Sequence, residues 1–340
     1  MKEVWSIARE KLKGFCRVCP VCDGRACAGE VPGMGGLGSG ASFRNNISAL
    51  AAYRLRMKVI HEITEPDLST DVLGLHLSMP VMAAPIGGTS YNMGANSISE
   101  ETYIASIVQG CLERGTIACT GDGPLDNIFT AALSAIKTAS GKAIPFIKPW
   151  EGREADDKIQ AALDIGCKII GMDLDAIGLV TLRKMGRPVA PRGVEQLMAL
   201  TRHIHAAGAR FIIKGIMTRE DAELALAAGV DGIVVSNHGG RVLDHTPGTA
   251  EILPEIAESV KGKMAVLVDG GVRSGVDVLK MIALGADAVL IGRPCSIAVV
   301  GDPEKGLGMY LDSIRQQLAS AMVLTGTPSI KGAGKHIFQS

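Results

Sequence analysis

The chemistry-bearing residues of this chain concentrate in one short stretch, Ser236-Asn237-His238-Gly239-Gly240-Arg241, directly after the apolar run "GIVV". An imidazole titrates near neutral pH and can take or give a proton at a reacting carbon. A guanidinium three positions on can grip a carboxylate or phosphate through two parallel hydrogen bonds. The two glycines between them leave room for a ligand to approach closely. A polar turn facing water is the plain alternative for His238. Two further residues close apolar runs in the same way. Lys214 ends "FIIK" and can serve as a Schiff-base lysine, a phosphate ligand or a cation beside a cofactor, or simply face water. Asp173 ends "IIGMD", with Asp175 two residues on; it can orient and charge-stabilise the imidazole, or cap the helix that follows.

A second constellation lies downstream. Gly270, Gly271 and Arg273 follow the run "AVLVD", and Gly292 and Arg293 follow "AVLI". Glycine turns with exposed amides plus two arginines make a dianion site, phosphate above all. Asp269, at the start of the first turn, is placed to bond hydroxyls of the same ligand. A third lies near the start: Cys16, Cys19, Cys22 and Cys27, spaced C-x2-C-x2-C-x4-C. That is one residue longer at its end than a bacterial iron–sulfur run. Four thiolates can equally close a tetrahedral zinc site, or the segment can stay reduced and unliganded. The other four cysteines are scattered through apolar stretches and read as small core residues.

The elements that must position these groups are visible as a rhythm. Eight short apolar runs, at 80–87, 115–121, 143–148, 168–173, 210–215, 232–237, 265–270 and 288–293, alternate with segments of helical period such as "TREDAELALAAG". Near-continuous apolar strands each followed by a helix imply a parallel sheet buried on both faces. Eight repeats point to an α/β fold closed as a (β/α)8 TIM barrel, whose chemistry sits at the C-terminal strand ends. "GMGGLGSG" is no dinucleotide fingerprint, because no apolar strand precedes it. Residues 1–40 read as a Cys-rich and Gly-rich extension, its glycines able to act as a linker or mobile flap, and 41–340 as the barrel. Lys plus Arg equals Asp plus Glu at 35 each, so nothing favours a nucleic-acid or anionic-membrane partner. Without an apolar leader or an apolar run of about 18 residues, the chain reads as soluble and cytoplasmic.

"SNHGGR" followed by "LD" and "LPEI", with "IKGI", "VDGGVRSGVDVLKMIALGADAVLIGRP", "LTGT" and the upstream "DLSTDVLGLHLSMPVMAAP", resembles the FMN-dependent α-hydroxy acid oxidases and dehydrogenases. This is the group of glycolate oxidase, lactate oxidase and flavocytochrome b2. The resemblance spans roughly residues 43 to 330. It implies FMN across the barrel mouth, with its phosphate on Gly271, Arg273, Gly292 and Arg293. It also places Ala84, Pro85, Thr120, Ser236, Asp269 and Gly270 at the cofactor. By the same resemblance His238 is the base toward a small 2-hydroxy acid and Arg241 its carboxylate anchor. Lys214 offsets negative charge on the reduced flavin, Asp173 stabilises the imidazolium, and the chain forms a homo-oligomer, a tetramer or larger.

Departures from the family pattern are concentrated around the substrate. Gly36 or Leu37 stands where the family has a substrate-facing Tyr, Phe146 falls near the position of a flavin-contacting Gln, and Lys148 near that of a second Tyr. Leu179 and Val180 occupy the region of an expected Arg, and Val242 that of a Gln. Two other functions remain open at this level. One is an FMN-dependent isomerase similar to the type 2 isopentenyl diphosphate isomerases. The other is a flavin-free phosphate-binding aldolase or epimerase using Lys214.

Overall fold

The computed structural model describes residues 1–339. Eight parallel strands close a barrel in chain order. Before them an antiparallel pair, β1 (Thr70–Val72) and β2 (Leu75–Leu77), forms a short hairpin. The barrel strands are β3 (Val81–Ile86), β4 (Ile117–Thr120), β5 (Ile144–Ile147), β6 (Ile169–Asp173), β7 (Arg210–Ile216), β8 (Gly232–Val235), β9 (Ala265–Val268) and β10 (Ala288–Ile291), with β10 pairing back to β3. Each coincides with one of the eight apolar runs, β7 running one residue past its run to Ile216, so the (β/α)8 expectation holds.

Alternation along each strand builds two cores. Met82, Ile212, Val234, Leu267 and Leu290 point into the barrel and pack with Phe146 and with Val72, Leu73 and Leu77 of the hairpin, which closes the bottom. Their neighbours Ala83, Ile213, Val235, Val268 and Ile291 point outward under the helices. This is the two-sided burial that near-continuous Val/Ile runs require.

The helices are α1 (Lys2–Lys11), α2 (Ala41–Ala52), α3 (Glu100–Leu112), α4 (Asp126–Thr138), α5 (Glu154–Asp164), α6 (Val180–Lys184), α7 (Val194–Ala206), α8 (Arg219–Ala227), α9 (Thr249–Val260), α10 (Gly275–Ala283), α11 (Arg293–Gly301) and α12 (Gly306–Thr325). Local sequence sets several of their starts. Ser99, Thr218 and Ser274 each accept a backbone N–H of the first turn, and Ser274 with Asp277 completes a capping box before α10. Among the described residues no helix is long and apolar enough to cross a membrane.

The N-terminal extension is built into the barrel. Helix α1 lies on α11 so closely that a Cβ at Gly301 would meet the Val4 carbonyl, and Ala8, Leu12, Val18 and Met34 share the main hydrophobic core. From residue 12 to 40 the chain forms no helix or strand, only an isolated bridge between Ala28 and Gly36. Its glycine-rich end is anchored. The Leu37 N–H donates to the Gly240 carbonyl at 2.8 Å, and Asp244 accepts the Ser39 and Ala41 N–H groups.

Candidate active site

The ends of β3, β5, β6, β7, β8, β9 and β10 open onto one cavity. Ala84, Pro85, Lys148, Asp173, Lys214, His238, Arg241, Asp269, Gly270, Gly271, Arg273, Gly292 and Arg293 all line it. Thr120 and Ser236 are buried just outside this lining. Ser236 acts as a brace: its hydroxyl donates to Asp269 Oδ1 at 2.7 Å and accepts the His238 N–H at 3.0 Å.

The His–Gly–Gly–Arg spacing has a backbone cause. His238, Gly239 and Gly240 all take left-handed φ angles of 55°, 62° and 77°. The curl turns the chain back across the mouth after β8. A Cβ at Gly239 would stand 2.7 Å from Arg293 Nη1, and one at Gly240 would meet the backbone of Phe43 in α2. Glycine is therefore required twice, and the strain of a left-handed His is accepted where it aims the imidazole.

Inside the mouth, cations and carboxylates balance. Lys214 Nζ donates to Asp173 Oδ1 at 2.8 Å and lies 3.6 Å from Asp175 Oδ1. Lys148 Nζ donates to Asp173 Oδ2 at 3.2 Å. His238 Nδ1 lies 2.9 Å from Asp175 Oδ1, 3.2 Å from Lys214 Nζ and 3.6 Å from Asp173 Oδ1. The hydrogen bond that orients the imidazole thus comes from Asp175, while Asp173 sits in ion-pair range and binds both lysines. The sequence points to Asp173 for the orienting role; the turn after β6 instead brings Asp175 into hydrogen-bond distance and leaves Asp173 at 3.6 Å.

These contacts shift the groups strongly. Burial alone would raise the Asp173 carboxyl, but Lys214, His238 and Lys148 outweigh it and hold Asp173 well below the ordinary carboxylate range. Burial alone would lower the Lys214 ammonium; Asp173, Asp175 and Asp269 outweigh that and push it up. Burial raises Asp269, against the pull of Lys214 and the Ser236 hydroxyl. Among the described residues, Asp173, Asp175 and His238 are the one group of potential metal donors whose ligand atoms lie within 4.8 Å of one another. The Lys214 ammonium already fills the position between them.

The rim is different. Arg241, Arg273 and Arg293 have no carboxylate within ion-pair distance among the described residues. Arg241 Nη1 donates to the Gly33 and Gly35 carbonyls at 2.7 and 3.0 Å, and its Nη2 to Asn92 Oδ1 at 3.0 Å. Arg293 donates to the Met34, Gly35 and Gly239 carbonyls. Burial pushes the Arg241 guanidinium down to about 10. Burial, with Arg241 and Arg273 nearby, pushes Arg293 down to about 9. Buried positive charge of this kind calls for an anion. Arg273 Nε and Thr120 Oγ1 are buried with no hydrogen-bond partner. Unpaired guanidiniums, orphaned polar atoms and the Gly270–Gly271 turn together fit a phosphate-bearing cofactor such as FMN.

Several site residues carry no signal in the sequence reading. Tyr91 and Asn92 line the cavity from the turn after β3. Asp122 is a buried hub that accepts from Trp150 Nε1 at 2.6 Å, Lys158 Nζ at 2.8 Å and the Lys148 N–H at 3.1 Å, fixing the end of β5. The cysteines lie behind the rim. Cys16, Cys19, Cys22 and Cys27 are all free and partly buried. Cys22 Sγ lies 3.5 Å from Arg273 Nη2.

Comparison with known proteins gives the family. A peroxisomal (S)-2-hydroxyacid oxidase of Arabidopsis thaliana is 31% identical over 323 residues, covering 87% of each chain. The 2-hydroxyacid oxidase 2 of Bos taurus is 30% identical, covering 86% of this chain and 88% of its own. A mandelate oxidase crystal structure superposes with a TM-score of 0.79 at 27% identity, covering 98% of this chain and 96% of that one. The family model of the FMN-dependent dehydrogenases matches residues 33–207 and 193–340. This chain belongs to the FMN-dependent dehydrogenase family.

Proposed function

We propose that the protein oxidises a small 2-hydroxy acid to the 2-oxo acid. The observation that carries this reading is the division of the cavity into a charge-balanced Asp–Lys–His cluster and an arginine rim with no carboxylate partner. Bound FMN would supply the acceptor for the two electrons and for the second of the two hydrogens that leave the substrate, the first going as a proton to His238.

The chain's own residues do the rest. His238 Nδ1 is held by Asp175, which fixes the ring and leaves Nε2 as the nitrogen that accepts the substrate's proton. The imidazolium so formed is stabilised by Asp175 at 2.9 Å and Asp173 at 3.6 Å. Arg241 takes the substrate carboxylate in a forked pair of hydrogen bonds, exchanging part of its carbonyl contacts for it. Lys214, held cationic by its carboxylates, keeps positive charge where negative charge builds up during reduction. Arg273 and Arg293 take the cofactor phosphate with the amides after β9 and β10.

Lys148 narrows the substrate class. Its buried ammonium has a single acceptor, Asp173 Oδ2, and lines the cavity. A second cation at this position suits a hydroxy acid with a further anionic or carbonyl oxygen. The aldolase reading of Lys214 is disfavoured, because a nucleophilic lysine needs a lowered pKa and this one is pushed up.

An anaerobic absorbance spectrum, repeated after adding mono- and dicarboxylic 2-hydroxy acids, tests the reading. Bleaching of the flavin band by one of them is the expected result. A flavin band that no hydroxy acid bleaches contradicts it and moves the isomerase to the front.

A further inference from the structure

The four N-terminal cysteines lie where the sequence gives them little else to do. Between Cys19 and Cys27 the backbone makes few bonds of its own, among them Asp23 N–H to the Val21 carbonyl at 3.2 Å and Arg25 N–H to Asp23 Oδ1 at 3.0 Å. Val21, the largest apolar side chain of that stretch, is 72% exposed. Apart from Gly24, which is packed on the Phe43 ring, little hydrophobic burial holds this loop. Yet its two ends are fixed. Arg9 donates to the Arg17 and Val18 carbonyls, and the Cys27 carbonyl accepts the Gly36 N–H. It is part of the irregular stretch from 12 to 40, and irregular loops that long inside a compact domain are commonly functional; a bound metal can supply the ordering energy that a small core does not.

We propose that Cys16, Cys19, Cys22 and Cys27 hold an iron–sulfur cluster, seated against the cofactor's phosphate end through Arg273. Thiol spacing selects a cluster over a single metal ion. A mononuclear tetrahedral site, with metal–sulfur bonds of about 2.3 Å, draws its sulfurs to within about 4 Å of one another. No three of these sulfurs lie within 4.8 Å of one another, and the C-x2-C-x2-C-x4-C run is one residue longer at its end than a bacterial iron–sulfur run. A cluster interposes its own iron and sulfide between the thiolates and holds them farther apart.

The surroundings suit the charge of such a centre. Arg273 Nη2 points at Cys22 Sγ from 3.5 Å, and a hydrogen bond to a ligating sulfur is a usual means of tuning a cluster. Arg273 also lines the cavity and keeps its Nε without a partner. One guanidinium therefore spans the thiols and the proposed phosphate site. Loss of the cluster should loosen Arg273 and weaken FMN binding.

The test is metal analysis of the intact protein, purified anaerobically from iron-supplied cells. Iron, acid-labile sulfide and zinc are measured in the wild type and in Cys16→Ser and Cys22→Ser. The expected result is iron and sulfide in equal amounts in the wild type, lost from both variants, with the Kd for FMN raised several-fold in Cys22→Ser. Zinc without sulfide, no retained metal in the wild type, or iron that survives both substitutions would each overturn the proposal. These readouts need no substrate, so their failure is distinct from failure of the hydroxy acid reading.

Discussion

Two regions of the cavity carry similar numbers of charges and handle them in opposite ways. In the mouth, Lys148 and Lys214 face Asp173 and Asp175, every lysine has a carboxylate, and His238 is inserted among them. On the rim, Arg241, Arg273 and Arg293 are held by backbone carbonyls, an asparagine and a thiol. Carbonyls satisfy the N–H groups of a guanidinium without cancelling its charge. The first region is thus suited to moving a proton at little electrostatic cost, and the second to capturing anions from outside. Burial makes the difference matter, because uncompensated charge in low dielectric is expensive and binding an anion relieves it.

The comparison can be broken or sharpened by substitution. The largest effect is expected for His238→Ala, which removes the proton acceptor. Turnover should fall on the order of 10²- to 10⁴-fold in steady-state assays, while the flavin stays bound. Next, Arg273→Ala should raise the Kd for FMN by about tenfold to a hundredfold, measured by flavin release, because charge-assisted hydrogen bonds are lost from a buried phosphate. If FMN affinity is unchanged, the rim does not hold the phosphate. Asp175→Asn should lower turnover by about tenfold or more, since an amide can impose the wrong tautomer on Nδ1. Equal turnover in this variant would return the orienting role to Asp173.

The smallest effect is thermodynamic. Asp173 titrates well below its ordinary range in the folded protein. Its stabilisation is therefore fully present above the unfolded value of about 3.9, and is lost as pH falls from there through the folded value. Tm should decline more steeply below about pH 4 in the wild type than in Asp173→Asn. Parallel profiles would mean that the mouth cluster adds no pH-dependent stability.

What the sequence made legible follows the chain's own period. Lys214, His238, Asp269 and the Gly/Arg turns each stand directly after an apolar run, so placing the strand placed the residue. Residues reached through tertiary contact were harder to see. Asp122 gains its role only because Trp150 and Lys158 come to it from β5's loop and α5. The carbonyls of Gly33, Met34 and Gly35 that hold Arg241 and Arg293 have no side-chain signature at all. That Asp175 and not Asp173 bonds the imidazole turns on the backbone after β6, which spacing alone does not fix.

The most direct measurement is anaerobic rapid mixing of a reactive 2-hydroxy acid with His238→Ala and Arg241→Met, following the flavin band. A balanced mouth and an anion-binding rim predict a split. His238→Ala should lose limiting rate with its half-saturating concentration little changed. Arg241→Met should raise the half-saturating concentration on the order of a hundredfold. If both variants lose the same quantity to the same extent, proton transfer and anion capture are not divided between the two regions, and the central claim is wrong.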